Sequence, residues 1–149
     1  MVINRKLVCL DLKAKDKLEA INELGELAYS IGRVKSKDKY IEAVMKRESD
    51  FSTAVGYSIA IPHGKSNEVI EPFVAFGRLN EGIVWEGPEA QEVRLVFLIG
   101  VPEHHSGNVH LQVLANISRN LMDANFRNQL LTAGSIDEVS SALQAVEIQ

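Results

Sequence analysis

The sequence predicts an α/β fold: a single domain in which a sheet is covered by helices on both faces. Three observations predict it. Short apolar runs suited to strands alternate along the chain with three- and four-residue apolar steps suited to helices, and mixing the two implies a sheet between helical layers. One run, Val93, Leu95, Val96, Phe97, Leu98 and Ile99, is nearly continuous in apolar residues, as a central strand buried on both faces reads. The 149 residues, 46% of them hydrophobic, suffice for one core. No repeat, low-complexity tract or linker divides them, so one domain is expected over 1–149.

The elements follow in order. Leu7 to Leu12 reads as a first strand. From Asp16 the period changes, and Leu18, Ile21, Leu24, Ala28 and Ile31 mark one helix face; Gly32 is a plausible C′ stop. Ser36 is a good N-cap for a second helix, with Tyr40, Ile41, Val44 and Met45 inward. Arg47 falls three residues after Val44 and seven after Tyr40, so it shares their face. Residues 49–58 are read as a loop. Ile59-Ala60-Ile61 suits a brief buried strand, ended by Pro62. Gly64 is expected to let the chain leave in a conformation that other residues resist, with Lys65, Ser66 and Asn67 continuing the loop. Phe73 to Leu79 is a strand. Residues 80–91 hold the turn formers Gly82, Gly87 and Pro88, interrupted by Ile83-Val84-Trp85 as a small strand or flap; Trp85 reads as core or edge cover. After the central strand, Ser106 or Asn108 can cap a helix with Leu111, Leu114, Ile117 and Leu121 on one face and His110 one turn before Leu114. Asp123 starts another helix, with Phe126, Leu130 and Leu131 inward. Ser135 to Glu138 is a capping-box pattern that opens the last helix.

Composition excludes several function classes. The net charge of −4 argues against nucleic acid as a partner. A single cysteine, Cys9, excludes an intramolecular disulfide and reads as a buried structural thiol, because no basic or Gly-rich loop adjoins it. The N-terminus lacks the apolar core of a signal peptide. The longest apolar stretch, Leu95 to Val101, falls far short of the roughly 20 residues of a membrane span. A cytoplasmic protein is expected. Gly25 and Gly32 are isolated, so no nucleotide-binding glycine loop is present.

The chemistry centres on His63, held between Pro62 and Gly64 in Gly-Tyr-Ser-Ile-Ala-Ile-Pro-His-Gly-Lys, residues 56–65. A neutral imidazole keeps one ring nitrogen free to act as nucleophile, base or metal ligand; the alternative is a plain turn histidine. Arg47 on an inward face has two readings, a salt bridge or a guanidinium waiting for an anion such as phosphate. Glu48 reads as a surface or ion-pair residue without a catalytic role. Ser52 and Thr53 either donate to a phosphoryl group or bond their own backbone. Lys65 reads as a solvated lysine. His110, in a helix first turn where the dipole favours anions, is either a second site histidine or a satisfied core histidine. A zinc site of His63, His104, His105 and His110 lacks ligand spacing typical of zinc.

Taken together, Arg47-Glu48 followed by the Ser52-Thr53 loop, then Gly56-Tyr57-Ser58-Ile59-Ala60-Ile61-Pro62-His63, then His110 at a helix start, resemble the enzyme IIA components of the bacterial sugar phosphotransferase system, fructose/mannitol class. The resemblance covers nearly the whole chain in order. One departure is Ser58, where the family often has Gly. The resemblance implies a mixed sheet of about five strands. It implies His63 as the phosphorylated nucleophile, His110 and Arg47 as its stabilisers, and Ser52, Thr53 and Gly64 as phosphoryl-binding candidates. It implies HPr as donor, the cysteine of an enzyme IIB as acceptor, the membrane enzyme IIC as an indirect partner, and no metal or cofactor. An EIIB domain and a membrane component are not within the 149 residues, so a free-standing carrier or one piece of a longer chain is expected. Fructose is the first expectation for the sugar, with mannitol and galactitol open. The alternative is a nitrogen-related regulatory EIIA that binds targets according to its phosphorylation. Two proteins docking in turn would need an open, partly apolar surface near His63, with Ile70, Phe73 or Leu79 as candidates.

Overall fold

The structure, a computed structural model, describes residues 2–104 and 109–147; the side chains of 109–111, 113 and 147 lie outside that description. A 3-10 turn (Arg5–Leu7) leads into β1 (Val8–Cys9), shorter than the strand expected over 7–12. Then come α1 (Lys17–Ser30), α2 (Lys37–Asp50), β2 (Ala54–Gly56), β3 (Ile59–Ala60), β4 (His63–Ser66), β5 (Phe73–Trp85), β6 (Gln91–Pro102), α3 (Val109–Asn120), α4 (Ala124–Thr132) and α5 (Ile136–Glu147). The sheet is mixed, in the order β1-β5-β6-β3-β2, with β4 also paired to β6. β3 and β4 keep one register on β6, Ala60 opposite Val96 and His63 opposite Ile99. They are one strand line interrupted at Pro62, so the six strands occupy the five positions expected.

Side-chain alternation divides the core into two layers. Phe73, Ala75 and Leu79 of β5 and Val96 and Leu98 of β6 face α1 and α2. Val74 and Phe76 of β5 and Leu95, Phe97 and Ile99 of β6 face α3, α4 and α5. Helices therefore cover both faces, and β6 is the central strand its composition predicts. Leu18, expected on the inner face of α1, stays exposed.

Helix ends follow the local chemistry. Asp16 accepts the Glu19 N–H at the start of α1, and Ser36 accepts the Lys39 N–H at the start of α2. Ile31 caps α1 and Gly32 follows with φ +77°. Glu138 donates its N–H to Ser135 Oγ, and its carboxylate accepts from Gly134 N–H rather than from Ser135, one residue further out than a capping box.

Three expectations change. Ser49 and Asp50 belong to α2, which runs to Asp50 with Phe51 as its C-cap. Residues 80–85 are part of β5, which runs 13 residues with a register shift between Arg78 and Ile83; the turn is confined to 86–90. Gly64 does not have a positive φ. It lies in β4, where an added Cβ would sit 2.8 Å from Val44 Cγ2 and 3.3 Å from Val44 N, both on α2. Its glycine is required by helix–strand closeness, not by backbone conformation.

The hairpin between β2 and β3 is the strained part of the fold. Gly56 pairs with Ile59, leaving Tyr57 (φ 56°) and Ser58 (φ 63°) as the two turn residues. Positive φ at both is what a type I′ hairpin turn demands, and neither residue favours it. The surroundings enforce it. The Ser58 carbonyl accepts both Arg94 N–H (2.8 Å) and Leu95 N–H (3.0 Å), and the Arg127 guanidinium stacks 3.8 Å above the Tyr57 ring.

Two stability predictions follow from these contacts. Ser58→Gly relieves the left-handed strain and should raise unfolding stability by roughly 0.5–1 kcal/mol, the strain relief partly offset by the freer unfolded chain; an unchanged urea midpoint would count against it. Gly64→Ala must push α2 off β4 and should lose about 1–3 kcal/mol in the same assay.

Candidate functional site

His63 opens β4 and lines a cleft of about 320 Å³ together with Arg47, Ser52, Thr53, Val55, Ile61, Ile99, Leu114 and Ser118. The sequence explains how it gets there. Pro62 has no N–H to give, yet its carbonyl still accepts the Ile99 N–H at 3.0 Å. The preceding Ile61 carbonyl is left to the side chain: His63 Nδ1 lies 3.0 Å from it. A carbonyl can only accept, so Nδ1 carries the proton, and in the neutral ring Nε2 keeps the lone pair. The partner that selects the tautomer is thus a main-chain oxygen two residues upstream, which side-chain patterns do not display.

Arg47, in the last turn of α2, is half-buried at the cleft and donates from Nη1 to the Phe51 carbonyl at 3.0 Å. Among the described residues it joins no ion pair, so the salt bridge that was one of its two readings is not seen there. It is the one permanently charged side chain among the described residues lining the cleft. Beside the apolar walls of Val55, Ile61, Ile99 and Leu114, a guanidinium interacts strongly with an anion.

Of the two readings of Glu48, the surface one fails, since the residue is 3% exposed, and the ion-pair one holds, with Lys17 as the partner. Its carboxylate accepts Thr53 N–H at 2.9 Å, Thr53 Oγ1 at 2.5 Å and Trp85 Nε1 at 3.2 Å, with Lys17 Nζ 3.6 Å away. Several donors are what a buried carboxylate needs to offset its lost hydration. Trp85 is fully buried, as expected of core.

The two hydroxyl candidates therefore part company. Thr53 lines the cleft but has given its single proton to Glu48, so its side chain has none left to donate to a phosphoryl group. Ser52 accepts the Ala54 N–H at 3.3 Å and finds no acceptor for its own proton among the described residues. Gly64 lies next to His63 but serves the packing of α2. Lys65 is exposed and outside the cleft lining. His110 lies in the first turn of α3, four residues before the cleft residue Leu114; its side chain lies outside the described residues. His105 also lies outside them, and among the described residues no group of three or more His, Cys, Asp or Glu could hold a metal.

The structure adds residues that sequence reasoning missed. Ser118 follows Leu114 by one helical turn, so the 110–114–118 spacing could have revealed it. A second groove shares Val55, Ile61 and Ser118 with the cleft and continues along Tyr57, Ile59, Leu121 and Met122. Val55, Tyr57 and Met122 are exposed apolar side chains there. Phe73 and Leu79, proposed for such a surface, are instead buried in the layer under α1 and α2; Ile70 is exposed but lies outside both cavities.

Comparison with known proteins shows the family. A family model described as "Phosphoenolpyruvate-dependent sugar phosphotransferase system, EIIA 2" matches residues 1–146. The chain is 38% identical over 141 residues to the fructose-specific EIIA component of Haloferax volcanii, covering 95% of this chain and 91% of that one. It is 36% identical to the fructose-specific EIIABC component of Bacillus subtilis over 93% of its length, but spans only 22% of that longer protein. A nitrogen regulatory protein of Bradyrhizobium diazoefficiens is 36% identical, over 89% of this chain and 85% of that one. Among solved structures, enzyme IIA mannitol of Escherichia coli superposes with a TM-score of 0.79 at 31% identity, covering 96% of this chain and 99% of that one. The same system's complex of enzyme IIA with phosphorylated enzyme IIB superposes at 0.81 and 29% identity, covering 96% and 97%. A match over nearly every residue, with the His63 cleft assembled, leads to one statement: the chain belongs to the EIIA 2 family of the phosphoenolpyruvate-dependent sugar phosphotransferase system.

Proposed function

We propose that the protein is a phosphoryl carrier that receives phosphate from the phosphohistidine of HPr on Nε2 of His63 and passes it to a sugar-specific enzyme IIB. The observation that carries this reading is the His63 Nδ1–Ile61 carbonyl bond, which leaves Nε2 as the nucleophilic nitrogen in a cleft that also holds Arg47, an arginine with no ion pair among the described residues. In the first step the Nε2 lone pair attacks phosphorus. The bond from phosphorus to the donor nitrogen breaks, and its electron pair returns to the donor imidazole. In the second step the thiolate of the acceptor cysteine attacks the same phosphorus, and Nε2 recovers its pair. Nδ1 keeps its proton throughout, so neither step requires a base on this chain.

Arg47 supports the charge of the equatorial oxygens and Ser52, which lines the same cleft, donates from Oγ to one of them; His110 is the second expected stabiliser. Enzyme IIB as acceptor is supported by the solved complex of the mannitol relatives. Fructose is the proposed sugar because the fructose-specific relatives are 36–38% identical. Enzyme IIC enters only through enzyme IIB. Among the described residues no helix is long and apolar enough to cross a membrane, and a cytoplasmic location is proposed from this role.

A second reading is favoured by a specific observation. The nitrogen regulatory protein IIA-Ntr of Neisseria meningitidis superposes with a TM-score of 0.85, alongside the 36% identical Bradyrhizobium protein. On that reading the same phosphohistidine would gate binding to a target protein instead of feeding transport.

Incubation with phosphoenolpyruvate, enzyme I and HPr should add one acid-labile phosphoryl group by intact mass, absent in His63→Ala; an unmodified wild type would sink the carrier reading. Arg47→Ala should slow that transfer by about 10²–10³-fold, the usual cost of one charge-stabilising donor. Arg47→Lys should recover only part of the loss, because an ammonium lacks the planar fork. Onward transfer to a fructose-specific enzyme IIB distinguishes transport from regulation. If phosphate stays on His63 with every sugar-specific IIB offered, the regulatory reading takes over.

A further inference from the structure

We infer that Glu48 is a positioning residue for the transfer, acting through Arg47 and the 51–53 segment; this rests on the proposed role of His63 and Arg47. Glu48 touches neither the cleft nor His63 in the described contacts. What it holds is the strip of chain that shapes one wall of the cleft. Thr53 is pinned to it twice, through N–H at 2.9 Å and through Oγ1 at 2.5 Å. Two residues earlier, the Phe51 carbonyl receives Arg47 Nη1 at 3.0 Å. Ser52 lies between these two anchors. Arg47 and Glu48, adjacent on one helical turn, therefore grip the same short segment, one from the cleft side and one from the core.

Helix stability alone would not choose a glutamate here. It sits in the last turn of α2, at the negative end of the helix dipole. It is also buried, where a well-packed apolar side chain is often as stable or more so. Both costs are borne by a residue whose donors come from three separate places: Lys17 on α1, Thr53 before β2, and Trp85 at the end of β5. Lys17 also lies 5.9 Å from the Trp85 ring centre and bonds the Glu86 carbonyl, which closes the network around the carboxylate. The arrangement fixes where the 51–53 segment lies relative to α2. That position in turn fixes the carbonyl that steadies the Arg47 guanidinium.

Glu48→Gln tests this with little change of shape. An amide cannot accept from all of these donors, because one of its two arms is itself a donor. Steady-state transfer from phospho-HPr is measured for wild type, Glu48→Gln and Val139→Ala, the last a truncation in the opposite core layer that controls for lost stability. The expected result is a kcat lower by roughly 10–100-fold in Glu48→Gln, a KM for phospho-HPr close to wild type, and near-normal kinetics for Val139→Ala. Wild-type kcat in Glu48→Gln overturns the inference while leaving the carrier reading intact. So does an equal loss in both variants. Amide hydrogen exchange at 51–53 and the Arg47 Nε–H resonance are recorded on the same samples. If the wild type takes no phosphate, the carrier reading fails and the role in transfer goes with it, and these signals decide the structural half of the inference: faster exchange at Thr53 with a shifted Arg47 signal supports the hold of Glu48 on that segment, and unchanged signals overturn it.

Discussion

The site depends on how closely α2 can approach the strand line that carries His63. With hydrogen as its side chain, Gly64 lets Val44 and Tyr40 press against β4. The Tyr40 hydroxyl then reaches through to the Ile99 carbonyl at 2.7 Å, on the residue paired with His63. Burial pushes this phenol well above its usual range, so its bond-donating form is the one present at neutral pH and is lost only as pH climbs through the raised value. Once α2 is seated, its last turn arrives at the cleft with Arg47. The position of the arginine relative to the imidazole is thus set by packing several residues away from either.

The apolar layout explains which parts of the fold were legible in the sequence. β6 was readable because both of its faces are covered, so its composition is continuous. α1 and α2 were readable because their N-caps and periodicity agree. β5 was misjudged in length because its register shift between Arg78 and Ile83 places polar Asn80 and Glu81 inside a strand. Phe73 and Leu79 were offered as docking residues because a sequence does not say that helices cover the face they occupy.

For the site, the residue types were legible and the reasons were not. His63 and Arg47 stand out by type and spacing. Gly64 was credited with a backbone role when its constraint comes from α2, more than a dozen residues upstream. Glu48 was visible as the neighbour of Arg47 in the family pattern, but its part in the fold was not, because its donors come from three segments that only the fold brings together. Thr53 looked equivalent to Ser52 until Glu48 was seen to take its proton. Ser58 was the one visible departure from the family pattern, and the positive φ it adopts shows that neighbouring contacts can impose on serine what glycine accepts freely.

The bond from His63 Nδ1 to the Ile61 carbonyl has a consequence for how such a protein can change over time. The atom that dictates the ring's proton arrangement belongs to the main chain, so every residue type at position 61 supplies the same oxygen. Side chains along the cleft can then change without altering which ring nitrogen carries the proton. The ring's proton arrangement is written into the path of the backbone around Pro62 and not into the side chains that line the cleft beside it.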